Sequence, residues 1–89
     1  MILNDFLGYS DRIEILESFL DNENYGLTLQ DVARISEINN PLPHLNELIN
    51  IGILFKDNEE YFLNQKDKRV ICLSLIHNEE YSRKLKEMD

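Results

Sequence analysis

Apolar residues recur at helical spacing early in the chain. Ile13, Leu16 and Leu20 lie three and four residues apart, so they share one face of a helix, and Ser10 just before them is a favourable N-cap. These positions predict a helix over residues 11–20, after a short helical turn that ends near Gly8. The polar positions expected on the outer face of the predicted helix are Arg12, Glu14 and Glu17.

A second helix is predicted over residues 29–36, where Thr28 is the candidate cap. Asp31 stands three residues later, at the position where a capping box places an acceptor for the amide of the cap residue. Residues 37–39 then form a turn, with Ile38 directed inward. This short helix and its turn lead directly into a third helical pattern.

The third helix is predicted over residues 40–51. Asn40 is a good cap, and Pro41 suits the first helical position because its missing N–H would have no partner there. Pro43 disfavours helical backbone at the preceding residue, so the regular helix begins either at Pro41 or at Pro43. Gly52 ends the helix. The inward side is predicted to carry Leu42, Leu45, Leu48 and Ile49.

Two β-type runs follow and predict a hairpin over residues 53–64, with a four-residue tip at 57–60. The apolar run at 70–76 is compatible with a buried strand or with a helix. We favour a helix, because the pattern continues without glycine or proline through Leu85. The expected fold is therefore mainly α with a small β-hairpin (α+β), in one domain with a core at 9–64 and a C-terminal helical extension at 65–89.

The chain has 89 residues and a formal net charge of −8, with 17 acidic and 9 basic residues. From Ser36 through Phe55 there is no lysine or arginine. Because an acidic protein is repelled by the phosphate backbone unless its cations are gathered on one face, this composition disfavours strong nonspecific DNA binding. It also makes a protein partner an alternative. No secretory signal is apparent, so a cytoplasmic location with no membrane partner is expected.

Few residues are suited to catalysis or metal binding. His44 and His77 lie on different predicted elements, and no Ser/His/Asp or Cys/His grouping is indicated. Cys72 is the single cysteine and is expected to be a small buried hydrophobe. We therefore expect no enzyme activity, no metal site and no cofactor.

The segments RIEIL (12–16), TLQDVARIS (28–36), HLNELINIGIL (44–54) and YFLN (61–64) together resemble winged helix-turn-helix regulators of the ArsR-like group. The resemblance covers about residues 9–76. It implies three core helices, a wing and a C-terminal helix. It also implies a homodimeric transcription factor that reads double-stranded DNA through helix 40–51 and the wing at 53–64.

The sequence departs from that group at the start of the third helix, where amides, prolines and a histidine replace the expected Ser, Thr, Arg and Lys. Asparagine can still read adenine through two hydrogen bonds. The same surface, lacking cations, is also compatible with a protein-interaction module. The predicted DNA contacts are Arg34, Asn39, Asn40, His44, Asn46, Asn50, Lys56 and Asn58. The predicted dimer contacts are Leu3, Phe6, Leu7, Ile71, Leu75, Tyr81 and Leu85.

Overall fold

The computed structural model describes residues 2–87, including every side chain in that range except those of Ile2, Asn4 and Asp5. The protein is mainly helical with a small three-stranded antiparallel sheet, which agrees with the predicted α+β class. The elements in chain order are α1 (Ile2–Leu7), α2 (Asp11–Leu20), β1 (Leu27–Thr28), α3 (Leu29–Ser36), α4 (Leu42–Asn50), β2 (Leu54–Asp57), β3 (Glu60–Leu63) and α5 (Lys68–Glu87).

Helix α2 has the predicted bounds and the predicted cap, because the Ile13 amide donates to Ser10 Oγ at 3.1 Å. The prediction that Glu14 and Glu17 face outward is wrong. Both are buried, and Glu17 is only 1% exposed, because α1 and α5 pack against this side of α2. The face of α2 that would be exposed to solvent in a three-helix core is thus covered by α1 and α5, the first and last helices.

The capping box at the start of α3 is formed as predicted. Asp31 N donates to Thr28 Oγ1 and Thr28 N donates to Asp31 Oδ2, each at 3.1 Å. The backbone hydrogen bond from Thr28, followed by the bond to its hydroxyl, lowers the pKa of Asp31 below its usual value. Glu37 ends the helix in the left-handed conformation, at φ +62°, and Ile38 packs against the core as predicted.

Helix α4 begins later than expected. Its first helical hydrogen bond runs from Leu45 N to the Pro41 carbonyl at 3.0 Å, so Pro41 occupies the cap position and the prediction of an Asn40 cap is wrong. The helix is regular from Leu42, between the two starts considered from the sequence. Leu42 itself is exposed rather than inward, because it stands in the first turn, beyond the part of α4 that is packed by Leu45 and Leu48.

Gly52 closes α4 as predicted. Its backbone adopts φ +84°, a conformation that residues with a Cβ atom rarely adopt. Ile53 N donates to the Leu48 carbonyl at 2.9 Å and Gly52 N donates to the Ile49 carbonyl at 3.0 Å, which together form a Schellman motif. This motif turns the chain directly from α4 into β2.

The sheet has the strand order β1-β3-β2, and both pairings are antiparallel. Asp57 pairs with Glu60, so only residues 58–59 form the turn, and the predicted four-residue tip is wrong. Asn58 accounts for the shorter turn because it adopts φ +58°, which asparagine tolerates better than most residues. The hairpin is therefore tight, and β1 adds the third strand on the far side of β3.

Helix α5 confirms the helical interpretation of 70–76 and continues without a break past His77. Leu3 of α1 and Val70 of α5 are completely buried in the same core as α2 and α4. Residues outside the segment 9–64 therefore also contribute to the hydrophobic core. The buried apolar residues are Leu3, Ile15, Leu16, Phe19, Leu20, Leu27, Val32, Leu45, Leu48, Ile53, Leu54, Tyr61, Leu63 and Val70.

Candidate functional site

The amide side chains predicted to contact DNA lie on α4 and on the loop before it. Asn46 and Asn50 are exposed one helical turn apart on the outer face of α4. Asn39 and Asn40 are exposed in the loop that enters the helix. His44 differs from them because it is only partly exposed. The loop and α4 therefore present several amides that can both donate and accept hydrogen bonds.

His44 is held by Arg12, a residue of α2 that sequence reasoning did not place in the site. Arg12 Nε donates to His44 Nδ1 at 3.2 Å, and Arg12 Nη2 lies 2.5 Å from Glu47 Oε2. Because Nδ1 accepts this bond, the proton of the neutral ring is on Nε2. His44 can therefore offer one N–H donor, next to a guanidinium that Glu47 already neutralises. No periodicity in the sequence links positions 12 and 44.

Lys56 is exposed on β2, with its Nζ 5.4 Å from the centre of the Tyr61 ring. Together with Gln30 and Leu42 it lines a crevice of about 380 Å³ between the hairpin and the first turns of α3 and α4. Asn58 is exposed at the turn of the hairpin. The hairpin thus brings one cation near the start of α4, in a region where the helix itself has none.

Arg34 lies on the exposed side of α3, and its side chain is 73% exposed. Its Nη2 is 3.4 Å from Asp31 Oδ1, which is a long contact for an ion pair. Exposed pairs of this kind contribute between zero and about 1 kcal/mol, so a phosphate can compete with Asp31 for this guanidinium.

Each arginine of the chain lies within ion-pair distance of a carboxylate in the same molecule. The strongest example is Arg69, whose side chain hydrogen bonds to Asp67 lower the pKa of that carboxyl to about 2 and raise the pKa of the guanidinium. The surface therefore has little unpaired arginine charge for phosphate. The pairs are Arg12–Glu47, Arg34–Asp31, Arg69–Asp67, Arg83–Glu80 and Arg83–Glu87.

A buried polar cluster lies away from this surface, between α2 and α5. His77 Nε2 is 2.9 Å from Asp21 Oδ1 and 3.3 Å from Glu17 Oε2. Glu17 Oε1 also accepts a hydrogen bond from Leu3 N at 3.2 Å. The cluster therefore joins α1, α2 and α5. Sequence reasoning missed it, because it treated Glu17 as a surface residue.

These three side chains also have the ligand types of a metal site, with one candidate atom each, all within 4.8 Å of one another. However, a histidine that binds a metal usually donates its other ring N–H to an acceptor. His77 Nδ1 is buried and has no hydrogen-bond partner among the described residues. We therefore interpret the cluster as a polar contact that holds α5 on α2.

One of the predicted dimer contacts is buried and the other six are exposed. Leu3 is completely buried inside the protomer, so the prediction that it contacts a second copy is wrong. The prediction that Cys72 is buried is also wrong, because this residue is exposed on α5. The large apolar side chains that are exposed on α1 and α5 are Phe6, Leu7, Ile71, Leu75, Tyr81 and Leu85.

Over residues 2–87, the helices lack the combination of length and apolar character that crossing a bilayer requires. Comparison of the chain with protein-family models, with curated proteins and with solved structures found no match. What the surface can bind is therefore inferred from its own geometry.

Proposed function

We propose that this protein is a winged helix-turn-helix module that binds double-stranded DNA, with α4 in the major groove and the β2–β3 hairpin as the wing. The observation that carries the proposal is the succession of α3, a short turn and α4, followed at once by a tight antiparallel hairpin. Helix-turn-helix proteins place the second helix of such a pair in the major groove. Here the outer face of that helix is polar.

Base reading in this proposal relies on amides rather than on cations. Asn46 and Asn50 are exposed on the same face of α4, and an asparagine that contacts adenine through two hydrogen bonds contributes about 1–3 kcal/mol of discrimination. The Nε2–H of His44 supplies a further donor, since Arg12 occupies Nδ1. Glu47 fits the same scheme because a carboxylate can accept from the amino group of cytosine.

Phosphate binding in this proposal comes from the elements on either side of α4. Arg34 on α3 is exposed and only weakly paired, and Lys56 on β2 points toward the crevice beside α4. With so few phosphate contacts and a net charge of −8, affinity should be modest and its salt dependence shallow. A second copy would double the number of contacts.

We propose a homodimer that is formed through α5. Ile71, Leu75 and Leu85 are exposed on a side of α5 different from that of the buried Val70 and His77, and Asn78 and Ser82 lie on the same exposed side. The intervals along this outer stripe are four, three, four and three residues, which is the spacing of a coiled-coil seam. Two copies related by a twofold axis would place two α4 helices on a palindromic site. Light scattering should give a dimer mass, and Leu75→Glu with Leu85→Glu should give a monomer.

Salt-dependent binding tests the DNA proposal. Duplexes selected from a randomised pool are titrated at several salt concentrations with the protein and with the double variant Arg34→Ala, Lys56→Ala. Each lost phosphate contact reduces the log–log salt slope by about 1, so the double variant should lose about 2 per protomer. The matched control is Lys66→Ala, Lys86→Ala, which removes the same charge elsewhere on the surface. Absence of binding at low salt, or equal losses in both variants, would overturn the proposal.

A second candidate function is docking of another protein on the same surface. Leu42 is exposed at the start of α4, in the crevice beside Lys56, and apolar exposure of this kind favours protein contact over phosphate contact. Photo-crosslinking in cells, with the reactive residue at position 42, separates the two functions. DNA binding predicts nucleic-acid adducts at this position, whereas protein docking predicts protein adducts. The same reagent at position 66 is the control.

A further inference from the structure

A groove on another side of the molecule has an apolar floor and a basic rim. It has a volume of about 470 Å³ and lies where the end of α4 and the start of α5 meet α2. Volumes of this size are typical of small-molecule sites, which are about 300–1,000 Å³. Its floor and walls are apolar and include Leu16, Leu48, Ile51, Ile53, Leu73 and Ile76.

The basic residues of the groove are Arg12, Lys68 and Arg69, and its lining as described contains no carboxylate. This is unusual for a chain with 17 acidic and 9 basic residues. Two of the cations are engaged, since Arg12 pairs with Glu47, and Arg69 pairs with Asp67 and donates to the Ile51 carbonyl at 2.5 Å. Lys68 is exposed and takes part in neither contact. Lys68 is therefore the lining cation that is available to an anion at the rim.

We propose that this groove binds a small amphiphilic monoanion, such as a medium-chain or aromatic carboxylate. The apolar body lies against Leu48, Leu73 and Ile76, and the carboxylate lies at the rim near Lys68. Apolar burial supplies the affinity and the basic rim selects for negative charge. The ligand contacts α2, α4 and α5 together. The inference does not depend on DNA binding, because the groove is formed by the protein alone.

A small ligand fits the groove better than a second copy of the chain. The apolar stripe of α5 through which we propose the homodimer is a separate face of that helix, so a second copy bound there leaves the groove open to a small ligand. An acidic peptide has suitable charge, and it is therefore one outcome of the test below.

Cys72 lines the groove, is exposed, and is the single cysteine of the chain, so its reactivity reports on occupancy. The rate of its reaction with N-ethylmaleimide is measured with octanoate, octylamine and octanol, which share one apolar chain and differ in charge. At about ten times its dissociation constant, octanoate should slow the reaction roughly ten-fold. Octanol should protect less at equal concentration, and octylamine least.

Two variants locate the binding site. Lys68→Gln should weaken octanoate binding by about two- to five-fold, the effect of one exposed ion pair, and should leave octanol unchanged. Ile51→Gln, at a half-exposed wall position, should weaken both. Lys66→Gln is the matched control outside the groove and should change neither.

Three results would overturn the proposal. Equal protection of Cys72 by all three compounds would indicate an apolar patch without charge selectivity. No protection by any of them would mean that the groove is not a site for such ligands. Stronger protection by an acidic amphipathic peptide than by octanoate would assign the groove to a protein partner instead.

Discussion

The half of the molecule formed by α3, α4 and the hairpin is held together differently from the half formed by α1, α2 and α5. In the first half, backbone amides donate hydrogen bonds to groups that are close in sequence. They do so in the Thr28 capping box and in the Schellman motif at Gly52. In the second, side chains far apart in sequence meet, as His77 does with Glu17. The surface that we propose reads DNA therefore rests on local contacts, whereas the packing of α5 depends on a buried polar contact.

The two histidines, one in each half, differ in their exposure and in their hydrogen-bond partners. His44 is partly exposed and accepts one hydrogen bond from Arg12, so its Nε2 remains free to act as a donor for a ligand in the proposed site. His77 is 7% exposed and its Nε2 faces two carboxylates, so its role is structural. The same residue type thus belongs to the proposed binding surface in one half and to helix packing in the other.

The largest predicted effect comes from removing His77. His77→Ala removes the imidazole whose Nε2 lies 3.3 Å from Glu17 Oε2, and removing a hydrogen-bond partner from a buried carboxylate costs about 3 kcal/mol. Chemical denaturation should show this loss. Asp21→Asn is the control and should cost less than about 1 kcal/mol, because Asp21 is half-exposed. Equal losses in the two variants would mean that the buried Glu17 contact does not hold α5.

Gly52→Ala tests the half formed by α3, α4 and the hairpin, which is stabilised by local contacts. A Cβ at φ +84° is strained by about 1–2 kcal/mol, although the nearest atoms of Arg69 and Asp67 leave room for it at 3.6 and 3.8 Å. Stability should fall by that amount in urea denaturation. The matched control is Asn58→Gly, at φ +58°, which should be neutral or slightly stabilising. A neutral Gly52→Ala would contradict the proposed role of the left-handed glycine.

Thr28→Ala should have a smaller effect. It removes the hydroxyl that accepts from Asp31 N, and losing an N-cap costs about 1 kcal/mol. Thr28→Ser keeps the acceptor and should retain most of the stability. If the alanine and serine variants are equally stable, the hydroxyl is not what caps α3.

These local contacts could be predicted from the sequence, and the long-range ones could not. The bonds at Thr28 and Gly52 join residues that are few positions apart, so residue type and spacing are enough to indicate them. Glu17, His77 and Arg12 have partners set by how helices pack, and an outer helix face looks the same in sequence whether or not another helix covers it. The candidate amides on α4 were predictable, but the contact from Arg12 to His44 was not.

The smallest predicted effect concerns the contact between Asp67 and Arg69, where β3 leads into α5. Arg69 holds the pKa of Asp67 at about 2, below its usual 3.8, chiefly through its side-chain hydrogen bond. A lowered pKa means that the contact stabilises the folded protein above pH 3.8 and that this contribution is lost as the pH falls toward 2. A carboxyl titration by NMR should show this midpoint. Arg69→Gln should move it up toward 3.8, and an unchanged midpoint would contradict the assignment.

Amide chemical-shift mapping with a selected DNA duplex at low salt tests the central proposal most directly. We expect the largest shifts at Asn46 and Asn50 of α4 and at Lys56 of the hairpin, and we expect them to diminish as salt is added. Residues near His77 should be unaffected. Shifts that are absent at low salt, or that are largest on α5, would contradict DNA binding through α4 and the hairpin.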